Sequence, residues 1–145
     1  MTTMRTPRAP ERTHHRPWEQ WTLAGVLVLV AANAIYGGVG LIVNGMGMPD
    51  DWLARTPFDS WLLPGIALLV TVAVPQLWGL AVTWRGGDRA PEAALLVGLA
   101  LVVWIVVQLL VLRRYFFLQP VIAFLGLAEA GLGVAWARRR GHPSR

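Results

Sequence analysis

The residues AALLVGLALVVWIVVQLLVL, at positions 93–112, form a run of twenty without a charged side chain. At 1.5 Å per residue, an α-helix of this length spans about 30 Å, the thickness of a bilayer's hydrocarbon core. A transmembrane strand would instead need about ten residues of alternating polarity. The run therefore predicts a membrane-spanning α-helix.

Three further apolar segments have the same character, and the only charge within them is Glu129. They cover residues 21–43, 62–84 and 115–137. Charged residues make up 14% of the chain, against about 25% in an ordinary soluble domain. This composition excludes a water-soluble globular domain and a disordered chain. We expect an all-α integral membrane four-helix bundle, with a disordered basic tail at 1–20 and a basic tail at 138–145.

The basic residues are thirteen arginines without a lysine, and their placement predicts the orientation. Ten lie in the two tails and the connection after the second segment, while Arg55, Arg113 and Arg114 lie in the other connections. The positive-inside rule then places both termini in the cytoplasm. Because the arginines flank the apolar segments, membrane topology explains them better than nucleic-acid binding. Arginine without lysine fits a GC-rich bacterial genome, so we expect a multi-pass bacterial plasma-membrane protein.

A cleavable signal peptide is the alternative for the first segment, because a basic region and an apolar run precede Ala32-Asn33-Ala34. Cleavage would leave three spans and an external N-terminus. The apolar stretch continues through Ile42, which favours an uncleaved span.

The connection at 44–61 is predicted to lie outside the membrane. Residues 50–54 predict a short interfacial helical turn with Trp52 and Leu53 toward the lipid. Thr56-Pro57-Phe58-Asp59 has the pattern of a helix start, and prolines at 64 and 75 predict kinks in the second helix. We expect Arg113 or Arg114 to pair with an acid of this connection, namely Asp50, Asp51 or Asp59.

Each apolar segment carries a stripe of small residues with a polar residue on it or beside it. Such stripes let helices approach closely, so we expect them to face inward. They are Asn33, Gly37, Gly40 and Asn44; Gly65, Val72, Gln76, Gly79 and Thr83; Ala94, Gly98, Leu101, Ile105 and Gln108; and Gly126, Ala130, Gly133 and Ala137 beside Glu129.

The candidate intramembrane polar site consists of Glu129, Gln76, Asn33 and Gln108. Glu129 and Gln76 each lie about 12 Å from the cytoplasmic end of their segments, and Asn33 about 18 Å. An unpaired carboxylate in hydrocarbon costs several kcal/mol, so one interpretation is a proton or cation site. The alternatives are a neutral carboxyl bonded to Gln76 or to a backbone carbonyl as packing, and a side chain that reaches the interface. Asn33 and Gln108 are expected to pair across helices.

Enzyme signatures are missing from the sequence. There is no cysteine, and the three histidines lie in the tails, so no intramembrane haem or metal site is expected. No Ser-His-acid arrangement or glycine-rich phosphate loop is present either. We therefore expect a protein that is not an enzyme and that holds no metal or cofactor.

Several short motifs resemble a group of small four-span bacterial membrane proteins common in actinobacteria. They are Pro49-Asp50-Asp51-Trp52-Leu53, Thr56-Pro57-Phe58-Asp59-Ser60-Trp61, Pro64-Gly65, the run from Trp104 to Gln108, and Phe117-Leu118-Gln119-Pro120. The resemblance covers residues 21–137. The group carries no established activity, so the resemblance implies the topology and no functional residue.

Two functions are consistent with this sequence. The first is a non-enzymatic interaction or accessory protein, whose partners are the lipid bilayer and either a second copy of the chain or another membrane protein. The alternative is a small proton-coupled transporter that uses Glu129.

Overall fold

The computed structural model describes residues 18–113, 115 and 118–140. Its four long helices are α1 (Trp18–Asn44), α2 (Leu62–Arg85), α3 (Ala90–Leu112) and α4 (Leu118–Arg140). All four are long and apolar enough to cross a membrane, which confirms the predicted all-helical fold and the number of candidate membrane-spanning helices among the described residues. Most of the predicted N-terminal tail and the last five residues lie outside the described residues.

The first and last helices meet at one end of the bundle, where Glu19 of α1 lies beside Arg139 of α4. We call this the termini end, and it also holds the short α2–α3 connection at 86–89. The opposite end, called the loop end, holds the connection at 45–61 and the end of α3. Helix α1 packs extensively against α2 and less against α4. Helix α3 packs extensively against α4 and less against α2.

Two helix pairs touch backbone to backbone at glycines. A Cβ atom added to Gly98 of α3 would lie 2.5 Å from the Gly126 carbonyl oxygen and 2.6 Å from the Ala130 nitrogen on α4. Likewise, a Cβ on Gly65 of α2 would lie 2.8 Å from the Gly38 carbonyl oxygen of α1. Only glycine permits this approach, so these positions fix where the helices cross.

The predicted inward stripes are confirmed on α2 and α3, where all their members are buried except the half-buried Gln108. On α4, Gly126, Ala130 and Gly133 are buried, but Ala137 is exposed. On α1 the prediction is wrong. Its inward face consists of Leu23, Leu27, Ala31, Ala34, Gly38 and Leu41, whereas Asn33 and Asn44 are exposed and Gly37 and Gly40 are half-buried. The helix carries small residues on two faces, and the face that also carries leucines packs inward.

Helix α2 is irregular at one of its two prolines. A π-helical turn at Leu69–Ala73 precedes Pro75, and the Val74 N–H donates to the Leu69 carbonyl, five residues back. This wider turn accommodates a proline, which has no N–H to donate, inside a continuous helix. Pro64 lies in the first helical turn instead, where a missing N–H leaves no bond broken.

The connection between α1 and α2 differs from the predicted pattern at two points. Helix α2 begins at Leu62 and not at the predicted start near Thr56. There the Thr56 hydroxyl accepts a hydrogen bond from the Phe58 N–H and donates to the Leu53 carbonyl, forming a local turn. A 3-10 turn does form at Asp50–Trp52, but Leu53 after it is buried against Leu41 and Trp61 rather than directed outward. The position of this turn at a membrane interface stays a prediction.

Candidate functional site

One hydrogen bond between two buried polar side chains joins α2 to α4. Gln76 Nε2 donates to Glu129 Oε2 over 3.0 Å, and the two residues are 1% and 0% exposed. Glu129 therefore points into the bundle, and of the packing partners expected for it, Gln76 or a backbone carbonyl, it bonds to Gln76. The functional role of the pair stays a prediction.

Neighbouring glycines bring the helices close enough for this contact. Gly98 of α3 lies close to Glu129, since a Cβ added to this glycine would be 3.0 Å from the Glu129 Cβ atom. One turn from Gln76, Gly79 lets Val97 of α3 approach, since a Cβ there would be 3.0 Å from a Val97 methyl. The pair is thus enclosed by α3 as well as by its own helices.

One oxygen of each side chain is left without a hydrogen-bond partner. Both Glu129 Oε1 and Gln76 Oε1 are buried and unbonded. A neutral carboxyl has one O–H donor and one carbonyl oxygen that accepts. It therefore complements a side-chain amide, whose NH2 group donates and whose oxygen accepts. Two oxygens are too few for a hard cation such as Ca²⁺, which takes six to eight. Among the described residues, no group of three His, Cys, Asp or Glu side chains is placed to hold a metal. The arrangement suits one proton better than a metal ion.

The other two members of the predicted site are not brought to this pair. Asn33 lies on the exposed side of α1, where its Nδ2 donates to the Leu29 carbonyl of the same helix over 2.9 Å. Its predicted inward position is wrong. Gln108 is half-buried in the last turns of α3 near the loop end, far along the helix from Gly98 and the Glu129 contact.

The predicted ion pair at the loop end is not made by Arg113. The structure describes Arg113 and the three acids Asp50, Asp51 and Asp59. All three acids are exposed, and none of them forms an ion pair with Arg113. Arg113 ends α3 in a left-handed backbone conformation with φ of 48°. Arg114 lies outside the described residues, so its pairing stays a prediction.

A buried polar group at the termini end was missed from the sequence. Glu19, only 1% exposed, lies with its Oε1 atom 2.9 Å from Arg139 Nε, and the same guanidinium is 5.8 Å from the Trp18 ring centre. Next to it, Gln20 Nε2 donates to the Thr83 carbonyl of α2 over 2.7 Å. These contacts connect α1 to α4 and to α2. Glu19 and Gln20 had been assigned to the tail, because the charge-free run begins only at Trp21.

The exposed side of α1 was also missed, because its stripe was expected to face inward. We call this surface the outer face of α1 and define it by Gly25, Leu29, Ala32, Asn33, Tyr36, Gly40 and Asn44. Tyr36 is 73% exposed, and toward the loop end a groove of about 430 Å³ is lined by Tyr36, Val39, Gly40, Val43, Asn44 and Met46. The face thus combines polar side chains, small residues and a groove.

No protein family model, curated protein or solved structure matches this chain. The resemblance to small four-span bacterial membrane proteins therefore stays an expectation from the sequence. What defines the class of protein is the fold, which is a helical bundle with four apolar helices.

Proposed function

We propose that this chain is a non-enzymatic, multi-pass protein of a bacterial plasma membrane that acts by binding a membrane protein chain through the outer face of α1. Both termini are in the cytoplasm, and the turn at Asp50–Trp52 lies at the external interface. The single observation that carries the proposal is the outward position of Asn33 at mid-helix.

Depth makes this position costly in lipid. Asn33 lies fifteen residues from Trp18 and eleven from Asn44, or about 22 Å and about 16 Å along the helix. Acyl chains offer no hydrogen-bond partner, and polar side chains in membranes normally face other protein groups. The bond to Leu29 uses one N–H of the amide, so its second N–H and its oxygen still need partners.

The rest of the described bundle surface is more apolar than this face, and the exposed Thr71 of α2 uses its only donor in the bond to Ala67 of its own helix. Large apolar side chains cover the outside of the other helices, for example Val70 on α2, Val103 on α3 and Phe124 on α4. Phe124 is 70% exposed, which suits contact with acyl chains. Contact with lipid leaves no hydrogen-bonding group of these apolar side chains unpaired. On the outer face of α1, a protein partner can supply the hydrogen bonds that the Asn33 amide lacks in lipid.

A photo-crosslinking experiment tests the proposal. A photoreactive residue at Val39, in the groove, is expected to give protein adducts in cell membranes. The same residue at Val103, an equally apolar and more exposed position on α3, serves as the matched control and is expected to give mainly lipid adducts. Absence of a protein adduct from Val39, or equal adducts from both positions, would overturn the proposal.

A second candidate function is a small proton-coupled transporter, and the buried Gln76–Glu129 pair favours it. In this interpretation the Glu129 carboxyl takes up one proton and releases it again during transport, and its unbonded Oε1 is the atom open to that proton. The test uses vesicles that contain the purified protein and a pH-sensitive dye, with a potential applied across the membrane. A transporter of this kind admits protons in the wild type but not in Glu129→Gln. Equal proton entry in both would remove this candidate.

A further inference from the structure

We propose that the partner on the outer face of α1 is a second copy of this chain, in a two-fold dimer whose Asn33 side chains hydrogen-bond to each other. This rests on the proposed function, because it names the occupant of the same face.

The chemistry of Asn33 suits its own copy. In a two-fold dimer a residue near the axis meets itself, so it must be both donor and acceptor to bond there. An amide is both donor and acceptor. After the bond to Leu29, Asn33 still has one N–H and its oxygen. In the dimer, the free N–H of each Asn33 would donate to the oxygen of the other. A charged side chain at this place would repel its own copy, but residues 21–43 carry no charge.

The shape of the face also suits a close crossing. Ala32 lies beside Asn33, and Gly25 lies two turns away with no heavy atom within 4 Å of where its Cβ would be. On the other side of Asn33 the groove begins at Tyr36. Gly40 in this groove is covered by Met46 of the same chain, whose Cγ would lie 2.7 Å from an added Cβ, so the close approach is expected at Gly25 and Ala32. The groove leaves room for a side chain of the second copy.

The face is distinct from the contacts inside one chain. Within the bundle, α1 already uses its Gly38 side against Gly65 of α2, and Leu23 and Leu27 are fully buried in the core. A second helix on the Asn33 side therefore adds a contact without displacing one. This is the geometry expected of a helix that serves both its own bundle and a neighbouring chain.

Disulfide crosslinking tests the dimer on the full chain, which contains no cysteine of its own. Single substitutions Ala32→Cys and Tyr36→Cys on the outer face are oxidised in native membranes. Val103→Cys and Phe124→Cys, exposed on α3 and α4, are the controls. We expect a disulfide-linked species of twice the chain's mass from the first two and not from the controls.

A second experiment measures the contribution of Asn33. Two differently tagged copies are expressed together and one is purified in mild detergent. Asn33→Leu is expected to weaken self-association about 3- to 30-fold, the effect of losing interhelical hydrogen bonds in a membrane. Thr71→Val is the matched control, since the Thr71 hydroxyl is also on an exposed side but bonds to its own helix at Ala67.

The outcomes separate this inference from the proposed function. Protein adducts from Val39 to a different chain, with no crosslink between copies, overturn the dimer and leave the proposed function standing. No protein adduct and no crosslink overturn both. A dimer that forms through α1 but is unchanged in Asn33→Leu overturns the assigned role of Asn33.

Discussion

Glu129 and Gln76 form a contact whose two partners lie 53 positions apart in the chain. Each side chain is enclosed, so neither has water as a substitute partner. Under these conditions a lost hydrogen bond is not replaced from solvent, and the unpaired group costs free energy. The contact therefore contributes to holding α2 against α4.

Replacing Gln76 with leucine tests this contribution. Gln76→Leu leaves the Glu129 carboxyl buried without its donor, and we expect the free energy of unfolding to fall by about 0.6–2 kcal/mol. The measurement is denaturant-induced unfolding in mixed detergent micelles. Thr71→Val, which removes only a bond within its own helix, is expected to change stability by less than about 0.5 kcal/mol.

Glu129→Gln provides the complementary comparison. A glutamine has the same shape as a neutral carboxyl and again offers both a donor and an acceptor to Gln76. We expect this variant to unfold in the same mixed micelles with nearly wild-type stability. A loss as large as that in Gln76→Leu would mean that the pair depends on the charge of the carboxylate.

Sequence spacing placed Gln76 and Glu129 at the same depth, which made Gln76 one of the expected partners of Glu129, but it misplaced Asn33. Depth along a helix follows from counting residues, and both members of the pair lie eight residues from the same end of their apolar segments. Direction around the helix does not follow from counting when every face is apolar. On α1, Ala34 and Gly38 form a second small-residue face only a few residues from Asn33, and only the packing of α2 selects between the two.

The pairing of α3 with α4 depends on contacts between their backbones. Gly98, Gly126 and Gly133 each leave room that a side chain would fill, and the nearest atoms across the contact are main-chain oxygens and nitrogens. Main-chain atoms of a helix cannot rotate away as a side chain can. The predicted stripes anticipated this pairing, because small residues recur on one face of both helices. The π-helical turn before Pro75 was not predictable beyond a kink, since several local geometries accommodate a proline.

Gly98→Ala tests the close approach of these two helices. The added Cβ would lie 2.5 Å from the Gly126 oxygen, so α3 and α4 must separate, and we expect a loss of about 1–3 kcal/mol. Gly131→Ala on α4 is the matched control, because nothing lies within 4 Å of its added Cβ. The control is expected to be neutral or slightly stabilising, since alanine favours a helix over glycine. Thermal unfolding in detergent measures both, and equal effects would contradict the packing argument.

The contact between Glu19 and Arg139 joins the start of α1 to the end of α4. Arg139→Ala removes the cation from a carboxylate that is almost fully enclosed, and we expect a loss of about 1–3 kcal/mol, as for a buried group left unsatisfied. Arg89→Ala, an exposed arginine at the same end of the bundle, should change stability by less than about 0.5 kcal/mol. Unfolding at low and high salt is the measurement. The loss should shrink in high salt, because Arg139 is exposed and its attraction is screened.

Helix α1 begins and helix α4 ends at the same end of the bundle, where Glu19 contacts Arg139. Arginine counts then indicate which side of the membrane that end faces. In the sequence, ten of the thirteen arginines lie before α1, in or after the last turn of α4, or at the α2–α3 connection. The other three lie in the remaining two connections, and Asp50, Asp51 and Asp59 lie in the connection before α2. Positive residues in short connections are retained in the cytoplasm, so the termini end is expected to be cytoplasmic.

Reporter fusions test this orientation. A reporter active only in the cytoplasm is expected to function after Arg145, and a reporter active only after export is expected to function when inserted at Gly47. Export of the Arg145 fusion would contradict the proposed orientation. An epitope before Met1 adds a separate observation, because it should remain on the purified full-length chain if α1 is a permanent span and should be lost if α1 is cleaved. Arg113→Asn with Arg114→Asn is the control, since removing arginines from the external side increases the asymmetry and must leave both reporters unchanged.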